Sequence, residues 1–124
     1  MKKPVSMLTG ALGALALAQA AIADGVAGEW KVEGTANGMP IKITCTLNEA
    51  KDGALSGSCF APDLQQTLPI TGAHHDKTVS WSYPINYQGQ DLKIGYDGTL
   101  KSEADIEGGI TVNDGPAGQF TAKK

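Results

Sequence analysis

The chain has 124 residues, a formal net charge of −3 and no arginine. An acidic chain whose cations are scattered lysines lacks the clustered positive surface that phosphate contacts need, so no nucleic-acid partner is expected. It also lacks the planar guanidinium fork that clamps carboxylates and phosphates.

The first element in chain order is an export signal. Met1, Lys2 and Lys3 make a basic start, and Val5 to Ala23 run apolar and small without a charge. Ala21-Ile22-Ala23 is an A-x-A cleavage site, after which Asp24 would open the mature chain. This three-part pattern predicts a signal peptide over 1–23 and one domain over 24–124. The short basic region and the A-x-A end look bacterial, so a periplasmic or secreted location is expected. The mature chain would keep eight lysines against thirteen acidic residues. No second apolar stretch approaches the roughly 20 residues of a membrane span.

The rest reads as strands and turns. Gly28-Glu29-Trp30-Lys31-Val32 opens a first strand, and Asn37-Gly38 is a strong hairpin signal. Ile41, Ile43, Cys45 and Leu47 alternate with polar residues, as do Leu55, Gly57, Cys59 and Ala61 beyond Lys51-Asp52-Gly53. Period two marks half-buried strands, and a three-residue loop with a left-handed glycine is a common hairpin type. Centring the hairpin on Asp52 sets Cys45 opposite Cys59 on the apolar face. Directly opposed strand residues lie within disulfide reach, so a hairpin disulfide is expected. Neither a C-x-x-C spacing nor a nearby His supports a redox or metal pair.

Leu68 and Ile70 mark a fourth strand ended by Gly72, with Ala73 to Asp76 as the next turn. Val79, Trp81, Tyr83 and Ile85 alternate in a fifth. A two-residue loop at Gln88-Gly89 would then set Trp81 opposite Tyr96, Tyr83 opposite Ile94 and Ile85 opposite Leu92. All six fall on one face, a consistent register. Pro84 donates no ladder bond and is expected at a bulge or an outward edge. Ile106 to Val112 and Gly118 to Ala122 supply the seventh and eighth strands, around a turn at Asn113-Asp114-Gly115-Pro116. The fold class expected is all-β: an eight-stranded antiparallel up-and-down meander barrel with one hairpin disulfide. Pairing of the first and last strands would remove both sheet edges.

Gly28-x-Trp30, the hairpin Asp52-Gly53-Ala54-Leu55-Ser56-Gly57 and the closing strand Gly118 to Lys123 resemble the lipocalin and avidin group of β-barrels. They are also similar to small lipocalin-like barrels that bacteria export. The resemblance spans nearly all of residues 24–124. It implies binding of a small, mostly apolar molecule in the barrel mouth. Avidins line a biotin pocket with several tryptophans, whereas this chain has only Trp30 and Trp81. Biotin binding is therefore not carried over.

Trp81, Tyr83 and Tyr96 fall on the inner face with Trp30. They are the candidate ligand-binding residues, and plain core packing is the alternative. Tyr87 stands near a turn, either rimming the mouth or as an ordinary surface aromatic. His74-His75-Asp76 is the only cluster of metal-capable residues and reads as exposed turn polarity, so no metal site is assigned. Asp91, Asp97, Glu103, Asp105 and Glu107 read as a solvated acidic surface. No Ser-His-Asp set can be assembled, and no catalytic residue or cofactor is assigned. The first reading is an exported protein that binds or carries a small apolar or aromatic molecule. A second is a cofactor-independent barrel enzyme of isomerase, cyclase or hydratase type, with Tyr83 or Tyr96 as proton donor. A third is a periplasmic enzyme inhibitor or interaction protein. It would meet a protein partner through loops Ala61 to Gln66 or Ala73 to Lys77.

Overall fold

The computed structural model describes residues 25–124, and the expected signal peptide lies outside them. Nine strands follow in chain order: β1 (Gly28–Ala36), β2 (Met39–Glu49), β3 (Ala54–Ala61), β4 (Gln66–Pro69), β5 (Thr71–His75), β6 (Thr78–Tyr87), β7 (Gln90–Ser102), β8 (Asp105–Val112) and β9 (Gly115–Lys123). Every pairing is antiparallel. β1 meets β9, and β2 meets β3, so the sheet closes on itself. The strand β4 and the strand β5 share one register against β3, interrupted at Ile70. They fill one position in the wall, which makes the barrel eight-stranded. Such a barrel is loosely compatible with the lipocalin-like group. No helix of the described residues is long and apolar enough to cross a membrane.

Turn chemistry explains the tight meander. Asn37-Gly38, Gln88-Gly89 and Asn113-Asp114 each hold two consecutive positive φ angles. That is the two-residue type I′ turn, whose twist matches the flanking strands. The expected registers are observed: Cys45 stands opposite Cys59, and Trp81, Tyr83 and Ile85 oppose Tyr96, Ile94 and Leu92. The Cys45–Cys59 disulfide is formed, with Cα atoms 3.9 Å apart.

The fourth strand departs from expectation. It does not end at Gly72. It resumes as Thr71–His75, and only Asp76 and Lys77 turn before β6. The break at Ile70 lies beside Gly57, whose φ is +125°. Ile70 still donates its N–H to the Gly57 carbonyl at 3.0 Å. A Cβ on Gly57 would run into the Thr46 carbonyl oxygen, so only glycine suits this corner. Beyond it, β4 and the far half of β6 are not paired. Continuing the β5–β6 register by two places would set Pro69 opposite Pro84, and neither has an N–H to donate. Pro84 thus sits on a stretch of β6 that has only β7 beside it, as an outward, exposed residue.

The barrel has two unlike ends. The turns after β1, β3, β6 and β8 surround the mouth. The turns after β2, β5 and β7 surround the other end, which residues 25–27 close. Val26 is fully buried there. Its N–H donates to Glu49 Oε1 at 2.9 Å, and its carbonyl accepts the Trp30 indole N–H at 2.9 Å. The Lys124 ammonium lies 5.3 Å from the centre of the Trp30 ring, near enough for a cation–π contact.

Candidate functional site: an apolar cavity at the barrel mouth

Side chains fill the middle of the barrel. Trp81 stacks on Tyr96 with ring centres 5.3 Å apart, and Phe120 meets both edge-on at 5.7 and 5.2 Å. These offset and T-shaped arrangements suit the charge distribution of aromatic faces and edges. The disulfide, Val32, Leu47, Leu55, Val79, Ile106 and Ile110 complete the packing.

Toward the mouth the aromatic filling stops at Tyr83. Above it lies a cavity of about 290 Å³. Ile41, Ile43, Ile85, Leu92, Ile94 and Val112 form most of its apolar wall. These positions point inward by strand alternation, and they come from β2, β6, β7 and β8. The apolar surface continues onto the rim, where Met39 is 54% and Leu64 36% exposed. Tyr87 also rims the opening.

The sequence-derived candidates divide among three places. Tyr83 borders the cavity. Trp81 and Tyr96 belong to the packed layer beneath it, and Trp30 lies at the closed end, fully buried. The aliphatic lining and the rim residues Met39 and Leu64 were not singled out as a site in the sequence. The available signal was position: Ile41, Ile85, Leu92 and Val112 lie within a few residues of hairpin turns and face aliphatic residues or glycine across the ladder.

Tyr83 donates or accepts one hydrogen bond, to the Tyr96 hydroxyl at 2.7 Å. Burial pushes both phenols above their ordinary range, partly offset at Tyr83 by this bond. Both are neutral near pH 7, so the floor of the cavity carries hydroxyl dipoles and no charge.

The histidine cluster is placed differently from expectation. His74 is not in a turn but near the end of β5, on the inward side, with its side chain 7% exposed. Its Nδ1 lies 2.9 Å from Glu49 Oε2, and its Nε2 lies 2.7 Å from the Asp76 carbonyl. His75 is exposed. Among the described residues no group of three or more His, Cys, Asp or Glu side chains is placed to hold a metal ion. Asp91 and Asp97 are exposed, and Asp91 accepts a bond from Asn86. Asp105 pairs with Lys123 at 2.6 Å on the outside, which holds its carboxyl below the usual range. Comparison with family models, with curated proteins and with solved structures finds nothing that matches this chain.

Proposed function

We propose that this protein is an exported binding or carrier protein that takes a small apolar molecule into the mouth of its barrel. The observation that carries this reading is the contrast inside one barrel. Below Tyr83 the interior is filled with packed side chains, and above it an aliphatic cavity of about 290 Å³ opens to solvent between Met39 and Leu64. Covering apolar surface is favourable by roughly 25 cal/mol per Å², so a matching ligand gains from entering. An apolar cavity of roughly 150 Å³ holds a benzene ring. By that scale the mouth suits a molecule of about a dozen non-hydrogen atoms. Export is consistent with the buried disulfide, since such bonds persist outside the reducing cytosol.

Methyl-resolved NMR with naphthalene as the probe tests the reading. Saturable shifts are expected at Ile41, Ile85, Ile94 and Val112, while Val79 and Ile106 near the closed end stay in place. Ile85→Trp should fill the cavity and remove the response. A titration with no saturable shift at the mouth would refute the proposal.

A further inference from the structure

Tyr83 and Tyr96 stand diagonally across β6 and β7, and their hydroxyls are 2.7 Å apart. Each hydroxyl has one proton to donate, and a single bond between them uses one of the two. The second proton must go elsewhere. If Tyr83 donated to Tyr96, the spare proton would sit on Tyr96. That residue is 0% exposed, and its hydroxyl has no other hydrogen bond among the described residues. A buried donor left without an acceptor costs about 1–3 kcal/mol. If Tyr96 donates to Tyr83, the spare proton sits on Tyr83, which borders the open cavity. Tyr83 is 4% exposed, so the second arrangement avoids the penalty through an acceptor in the cavity, water or a bound molecule.

We infer that Tyr83 presents a free O–H to the cavity, and that the molecule bound there carries a neutral oxygen acceptor, of carbonyl or ether type, at its leading end. This rests on the mouth being a binding site. The relay from Tyr96 polarises the Tyr83 hydroxyl and strengthens it as a donor. A neutral acceptor fits better than a carboxylate. The walls are aliphatic, and one hydroxyl does not compensate the desolvation of a full charge. Apart from Lys42, which is exposed at the rim, no cation lines the cavity among the described residues. The acceptor would orient the ligand, and the aliphatic wall would cover the remainder.

The test uses two probes of equal size and similar shape, acetophenone and isopropylbenzene, which differ in a carbonyl. Each is titrated against the wild-type chain and Tyr83→Phe. The expected result is a loss of about fivefold in acetophenone affinity with little change for isopropylbenzene. Tyr96→Phe should weaken acetophenone by a smaller factor, because it removes only the polarising bond. Equal effects of Tyr83→Phe on both probes would overturn the inference and leave the cavity reading intact. Failure of both probes to bind the wild-type chain would overturn the two together. Infrared spectroscopy of carbonyl-labelled acetophenone on the wild-type protein needs no variant. A bound carbonyl stretch lowered from its position in hexane supports the donor, and an unshifted band contradicts it.

Discussion

The imidazole of His74 and the carboxylate of Glu49 meet 2.9 Å apart inside the closed end of the barrel, although 25 residues separate them in the chain. The same carboxylate accepts the Val26 N–H through its other oxygen. One acidic side chain therefore ties β2 to β5 and to the segment that covers the end. Glu49→Ala should release that segment. Amide hydrogen exchange at Val26 is expected to lose its protection, and stability to fall by about 1–3 kcal/mol. A double-mutant cycle between Glu49 and His74 should show a coupling above about 0.5 kcal/mol, whereas additive effects would mean the pair is incidental.

Trp30 and Trp81 provide a controlled comparison. Both are almost wholly buried, at 0% and 2% exposure. The Trp30 indole N–H is bonded to the Val26 carbonyl, whereas Trp81 Nε1 has no partner among the described residues. Replacement by Phe removes similar apolar area from each. Trp30→Phe also leaves a carbonyl unpaired, while Trp81→Phe removes an unsatisfied donor. Urea unfolding should find Trp30→Phe the more damaging by about 1–3 kcal/mol.

Alkaline pH should destabilise the barrel through Tyr83 and Tyr96. Burial raises both above the ordinary tyrosine range. The folded state thus keeps protons that the unfolded chain gives up. Stability from this source is complete below about pH 10 and declines as pH rises further, by about 1.4 kcal/mol per pH unit for each tyrosine. Tyr83→Phe should flatten the decline. Phenolate absorbance from these two residues should rise together with the loss of near-ultraviolet circular dichroism, not before it.

Removing the disulfide acts mainly on the unfolded chain. Cys45 and Cys59 are 14 residues apart, and closing a loop of that size is worth about 3 kcal/mol in the chain-entropy picture. Cys45→Ala/Cys59→Ala should lower the melting temperature by on the order of 15 °C. Both sulfurs belong to fully buried residues, so the folded wild-type protein should resist reductant until it opens.

Most of the wall was legible from alternation and turn residues. The hairpins about Asp52 and about Gln88-Gly89 carry apolar residues that face each other in only one register, and those registers are observed. The second half of the fourth strand was not legible. Gly72, Ala73 and His74 show no apolar alternation, and the inward His74 is satisfied by Glu49, a partner that local sequence cannot reveal. The break at Ile70 lies where Gly57 packs on the Thr46 carbonyl inside the β2–β3 hairpin and where a continued β5–β6 register would oppose Pro69 and Pro84, and neither relation shows until the registers of adjacent hairpins are combined. The cavity was hidden for a related reason. Alternation identifies which side chains point inward, but not where their volumes run out. Large rings from β6, β7 and β9 meet at mid-barrel and fill it, while the aliphatic positions nearer the mouth leave space.

The claim that the mouth holds a small apolar molecule is tested most directly by native mass spectrometry of the protein purified from its own host. A non-covalent mass increment of a small molecule is expected, lost on unfolding and absent from Ile85→Trp. A wild-type protein that retains no such increment, and that gains none when offered apolar probes of this size, would contradict it.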